Sequence, residues 1–201
     1  MQIVFKTQQK PQDYTADSND FCGEYPDAPL KCLFKDCNKP IPMKKHGYYF
    51  RYLITIIYCG RIKIRRYKCS KCGRTVSMLP AFCLAYYTYG VEIIISLIKQ
   101  AITESIRKAV NDHRAARRHT NPISRNHVRR YLTRLRRNRT LIQYGFNQIS
   151  PGAVKIDDSP GDIEWTRRIL TGKRCALCPE TNADFHKEMG MSFMSTHNNI
   201  A

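Results

Sequence analysis

Acidic side chains are scarce in this chain. Sixteen Asp and Glu face thirty-four Lys and Arg in 201 residues, for a formal charge of +18. Such an excess calls for a polyanionic partner, nucleic acid first and an anionic membrane surface second. Long apolar runs are missing as well. The longest, Val91–Ile98, carries Glu92 and falls far short of the roughly 18 residues that span a bilayer, so no membrane segment is expected. Met1–Tyr14 has no apolar stretch behind a basic start, so no secretory leader is expected. The nine cysteines then belong to a reducing cytosol rather than to a disulfide framework. Carboxylates suited to metal-dependent chemistry are also few. Downstream of the basic segments only Asp157, Asp158, Asp162 and Glu164 cluster, in one Asp-Asp-Ser-Pro-Gly loop, whereas a two-metal site draws carboxylates from separate elements. No catalytic residue and no small-molecule substrate is expected.

What the chain does have is a pair of cysteine pairs. Cys32 and Cys37 stand in Cys-x4-Cys spacing, and Cys69 and Cys72 in Cys-x2-Cys. Four thiolates on two tight turns suit a tetrahedral Zn²⁺, and a closed four-Cys set leaves no open position for substrate, so the site reads as structural. Between the pairs, Tyr48–Tyr58 is aromatic and β-branched, and Arg61–Lys68 alternates Ile62 and Ile64 with charge. This predicts a hairpin turning at Cys59-Gly60 that returns the second pair to the first. About 40 residues around one hairpin bury too little apolar surface to fold alone, so metal binding is expected to supply the folding free energy. Cys22 and His46 stand near the set without its spacing and read as an ordinary thiol and a turn residue. Cys175 and Cys178 form a lone CxxC, a weaker signal for a second zinc with His186 and His197.

The positive charge falls in two blocks. Residues 32–75 hold twelve basic side chains and one acidic, and residues 99–139 hold thirteen and two. In the first block Arg61, Lys63 and Arg65 share one strand face, either solvated or set against phosphate. Thr75–Tyr89 lacks positive charge and is dense in tyrosine, which favours packing on a helix over stacking on unpaired bases. In the second block helical periodicity starts after Gly90, and Thr103 or Ser105 caps a second helix. Ser124 caps a third, running to about Asn138. On that helix Val128, Tyr131, Leu132 and Leu135 form an apolar stripe. The other side carries Asn126, Arg129, Arg130, Thr133 and Arg137, and Ser124–Arg139 has no Asp or Glu with which those arginines could pair. Arg reads guanine and Asn reads adenine in a major groove, and a polar start at Ser124 and Arg125 suits a phosphate. The expected DNA contacts are therefore Arg61, Lys63 and Arg65 on the ribbon, and Ser124, Arg125, Asn126, Arg129, Arg130, Thr133 and Arg137 on the helix.

These residues carry a resemblance. Cys-x4-Cys, His46-Gly47-Tyr48 and RYKCSKCGRT (66–75) resemble the N-terminal zinc ribbon of bacterial insertion-sequence transposases and their accessory proteins. The continuation, with Leu79-Pro80, helices and SRNHVRRYL (124–132), resembles an uncharacterised bacterial family of short zinc-ribbon, transposase-like proteins with a homeodomain-type helix-turn-helix. The likeness covers about 32–139. It implies duplex-DNA binding linked to a mobile element, a nucleoid-associated cytoplasmic location, and as partners a catalytic transposase subunit or a second copy. One departure is Asn111–Ile123, longer than the 3–4-residue turn of a compact helix-turn-helix. The catalytic half of such transposases is a separate nuclease domain, for which the 62 residues after Arg139 are few.

The expected fold class is α+β. An irregular arm (1–31) leads into a zinc-ribbon β-hairpin domain (32–80), then a helical, helix-turn-helix-like domain (81–139) and a poorly structured tail (140–201). Two other functions stay open: an active transposase with unrecognised nuclease carboxylates, and an RNA-binding zinc-ribbon protein.

Overall fold

Alternation along Arg61–Arg65 sets the first layer. Ile62 and Ile64 are buried, while Arg61, Lys63 and Arg65 are not. The computed structural model describes residues 1–16, 21–37, 39–116, 123–150, 161–171 and 177–195. Its sheet has the order β1-β4-β3-β2, built from β1 (Gln2–Phe5), β2 (Lys44–Ile54), β3 (Cys59–Lys68) and β4 (Thr75–Pro80). Strands β2, β3 and β4 form an antiparallel meander, and β1 adds in parallel to β4, with Gln2 opposite Ser77. A β-bulge at His46-Gly47 shifts the β2–β3 register by one residue between Lys45 and Tyr48.

The predicted hairpin forms, but it turns four residues earlier than expected. Ile54 pairs with Cys59 and Leu53 with Gly60, so Cys59-Gly60 belongs to β3. The turn is Thr55–Tyr58. Its ends exchange a backbone bond (Thr55 N to Tyr58 O, 2.7 Å), and Thr55 Oγ1 accepts from Tyr58 N at 3.0 Å. The threonine hydroxyl supplies a turn that Cys59-Gly60 would otherwise have had to make.

The arm expected to be irregular is tied to the sheet. After β1, a 3-10 turn over Pro11–Tyr14 seats the buried Tyr14 against Tyr25 and Phe82. Ala16 N bonds Arg61 O at 2.7 Å, and Tyr67 Oη donates to Pro26 O at 2.6 Å.

The second layer is helical: α1 (Val91–Thr103), α2 (Ile106–Ala116), α3 (Arg125–Arg137), α4 (Arg139–Ile149), α5 (Asp162–Thr171) and α6 (Pro179–Met189). The caps fall where the sequence puts them. Gly90 precedes α1, Ser105 Oγ accepts from Lys108 N at 3.1 Å at the start of α2, and Ser124 caps α3. One apolar cluster joins Ile94 and Ile98, Val110, Val128 and Leu135, Phe146, Trp165 and Phe185 across all six helices. The fold is thus α+β, a metal-ribbon sheet followed by a helical bundle. No helix among the described residues is long and apolar enough to cross a membrane.

The tail corrects the expectation of a poorly structured segment, since α4, α5 and α6 all lie within 140–201 apart from the first residue of α4. Long-range polar contacts hold it. Asn182, fully buried, donates to Ala81 O (2.9 Å) and Cys83 O (3.1 Å), and Asn138 donates to Phe193 O (2.7 Å) and Ser195 O (2.9 Å). Lys6 and Asp184 pair at 2.8 Å, bringing α6 against the β1 edge.

Candidate metal centre and nucleic-acid interface

The sheet brings the two cysteine pairs together. Cys32 and Cys37 lie on the loop entering β2, and Cys69 and Cys72 on the turn between β3 and β4. Each pair is held by a backbone knuckle. Cys37 N bonds Phe34 O at 2.9 Å in the first, and Gly73 N bonds Cys69 O at 2.9 Å in the second. Gly73 has a φ of +72°, a conformation that costs an L side chain and suits glycine. The four sulfur atoms lie within 4.8 Å of one another, with Cys32 to Cys72 at 3.7 Å and Cys37 to Cys69 at 4.0 Å. Four thiolates about 2.3 Å from one tetrahedral ion would stand about 3.8 Å apart, so the set fits a metal. Among the described residues it is the one grouping of His, Cys, Asp or Glu with such geometry.

The surroundings divide the thiols. Burial pushes Cys32 up to about 12. The Arg74 backbone N–H and guanidinium bring Cys72 down to about 6, and backbone N–H groups of Cys72 and Lys71 lower Cys69. Arg74 was not singled out from sequence. It bonds Cys72 and Asp36, the latter at 2.5 Å, and stacks at 4.2 Å on the ring of Phe34. It therefore ties the first knuckle to the second. The available signal was its place two residues past the last cysteine.

The other cysteines and histidines stand apart from this set. Cys22 and His46 are exposed, and Cys83 is buried, as its apolar neighbours suggest. Cys175 and His197 lie outside the described residues. Cys178 is the N-cap of α6, and His186 is buried, with burial lowering its pKa.

Helix α3 has the two faces the sequence predicts. Ser124 and His127 cap it reciprocally: Ser124 Oγ accepts from His127 N at 3.4 Å, and His127 Nδ1 accepts from Ser124 N at 3.1 Å. Val128, Tyr131, Leu132 and Leu135 are buried in the bundle. Arg125, Asn126, Arg129, Arg130, Thr133 and Arg137 are exposed, and Ser124 is half-buried. Asn126, Arg129, Arg130, Thr133 and Arg137 line one shallow groove together with Arg134, which the sequence reading did not include. Arg129 Nη1 donates to Asn126 Oδ1 at 3.3 Å. Eight residues, 117–124, separate α2 from α3, and the Asn121-Pro122 break lies outside the described part of that connection.

On the ribbon Arg61 is exposed, whereas Lys63 and Arg65 are half-buried over aromatic rings. Lys63 Nζ lies 4.6 Å from the Phe21 ring centre, and the Arg65 guanidinium 3.8 Å from that of Tyr48. The tyrosine-rich segment packs on helices, as expected: Tyr87 meets Tyr131 at 5.8 Å, and Tyr89 meets His113 at 6.2 Å. Of the acidic cluster, Asp157 and Asp158 lie outside the described residues, and Glu164 pairs on its own helix with Arg167 (3.1 Å) and Arg168 (3.2 Å).

Residues 35–132 match the model of a domain of unknown function (DUF6431). The match spans β2 to the middle of α3 and takes in Cys37, Cys69 and Cys72. Neither a curated protein nor a solved structure matches the chain.

Proposed function

We propose that the chain is a sequence-specific DNA-binding protein of transposase-like kind, acting on duplex DNA without a catalytic site of its own. Zn²⁺ is the ion for the four-cysteine set, because four soft thiolates at tetrahedral spacing select zinc over the oxygen-loving cations. Its role is structural. The sheet then carries Arg61, Lys63 and Arg65 as backbone-positioning cations, while α3 enters the major groove as the second helix of a helix-turn-helix-like pair with α2. A catalytic transposase subunit or a second copy is the protein partner, and binding to DNA places the chain with the nucleoid.

The observation that carries this reading is the chemistry of one face of α3. Its exposed side offers Asn and four Arg with no carboxylate, opposite a wholly buried stripe. A merely solvated helix face usually mixes both signs of charge. Selection from a random duplex pool tests it. Enrichment of a motif that Asn126→Ala or Arg130→Ala relaxes at a single base position is the expected result. A pool with no enriched motif overturns sequence specificity, preference for structured RNA overturns the DNA assignment, and nicking by the chain alone overturns the non-catalytic part.

A further inference from the structure

Tyr86 sits in the third position of a four-residue turn closed by Tyr87 N to Leu84 O at 3.2 Å. Its φ is +67°, and it is the one described residue other than glycine with a positive φ. That backbone region disfavours any side chain with a Cβ, and the position ordinarily takes Gly or Asn. No packing offsets the cost, since Tyr86 is 73% exposed. The turn is imposed from outside: Arg51 on β2 donates from one guanidinium nitrogen to both Leu84 O and Tyr87 O. Strain that its surroundings hold in place, with nothing gained for the fold, marks a functional position.

Tyr86 lines a cleft of about 540 Å³. Tyr87, Tyr131, His127, Arg130 and Arg134 form other parts of its wall, and none of the described lining residues is acidic. Aromatic faces beside arginines suit a flat π-system carrying negative charge, which is the chemistry of a nucleotide. The cleft is also continuous with the α3 groove, because Arg130 and Arg134 line both. We propose that the cleft takes an unpaired nucleotide of a DNA strand where that strand leaves the duplex seated on α3. The base stacks on Tyr86, and the phosphates lie against Arg130 and Arg134. The position of the duplex rests on the function proposed above; the stacking site does not.

The test uses the full-length zinc-loaded chain and three DNA probes: a duplex, the same duplex with a single-stranded extension carrying 2-aminopurine beside the junction, and the extension strand alone. The extended duplex should bind roughly tenfold more tightly than the blunt one, with quenched 2-aminopurine fluorescence, as expected for one stacked base. Tyr86→Ala and Tyr86→Gly should abolish both the preference and the quenching while leaving blunt-duplex affinity within about twofold, and Tyr86→Phe should restore both. Because the backbone favours glycine there, Tyr86→Gly should melt no lower than the parent, which separates loss of binding from loss of fold.

Equal binding of blunt and extended duplexes, unchanged by Tyr86→Ala, overturns the cleft proposal and leaves the groove reading intact. Binding of the strand alone with Tyr86-dependent quenching, but none of the duplex, supports the cleft and overturns the groove reading. Binding of no probe overturns both. Saturation by free deoxyadenosine monophosphate as tightly as by the strand overturns a strand as the source of the nucleotide. Stronger Tyr86-dependent binding to an RNA loop of the same sequence overturns DNA.

Discussion

Arg74 acts on the metal set through a second shell of contacts. It bonds a ligand sulfur, forms an ion pair with Asp36 in the other knuckle, and covers the Phe34 ring. Partners of this kind orient ligands and typically change metal affinity by about 10–100-fold. Arg74→Ala should therefore weaken zinc binding by about that factor in competition with a chromophoric chelator, yet leave a ribbon that folds at saturating zinc. Cys69→Ser removes a ligand and should release the metal and melt the hairpin, seen as loss of stoichiometric zinc on elemental analysis. Equal effects from both substitutions would place Arg74 in the fold rather than around the ion. The stripe of α3 offers a second contrast. Leu132 is buried among helices, so Leu132→Ala should lower stability by about 2–5 kcal/mol in urea unfolding. Arg129 and Arg130 are exposed, and replacing either should cost about 1–3 kcal/mol in DNA binding and leave the unfolding midpoint close to that of the parent.

At the scale of elements, what was legible was local. The hairpin follows from alternation at Ile62 and Ile64, α1 to α3 follow from apolar periodicity and from caps at Ser105 and Ser124, and the cysteine spacing alone brought four sulfurs together. What was missed depends on distant partners. Strand β1 gains its pairing from β4, some 70 residues away, and α6 begins at Cys178-Pro179 with no strong polar cap and is fixed by Asn182 on the Ala81 and Cys83 carbonyls. No window of sequence contains both halves of such a contact. Two predictions follow from the docking of α6. Gly145 on α4 lies so close to α6 that a Cβ there would stand 2.3 Å from the buried Phe185 ring. Gly145→Ala should thus destabilise by about 1–3 kcal/mol, even though alanine is the better helix former by about 1 kcal/mol. On α6 itself, burial lowers the His186 pKa below 6.5. The unfolded chain then binds the proton more readily than the native one, so stability is full above about 6.5 and falls as pH drops through the window between the ordinary and the lowered value. Melting followed from neutral pH down to about 5 should show this loss for the parent and a flatter profile for His186→Gln.

For the molecule as a whole, charge decides how DNA binding must behave. The +18 excess is concentrated in the ribbon and the 99–139 segment, and the 140–201 tail is close to neutral. Each phosphate neutralised releases condensed counterions, so log K should fall linearly with log salt by about 0.9 per contact. The two blocks should separate in that plot. Arg61→Ala removes an exposed cation on a strand that carries no base-reading side chains, so it should weaken every duplex alike and reduce the slope by about 1. Arg65→Ala should do the same and also lower stability, since it uncovers the Tyr48 ring on which the guanidinium stacks. Arg129→Ala should instead cost most on the selected sequence and little on a scrambled duplex, with the slope nearly unchanged. Matching, sequence-blind losses at Arg61 and Arg129 would reduce α3 to a basic support. Reading of the bases would then have to come from the ribbon or from a partner protein.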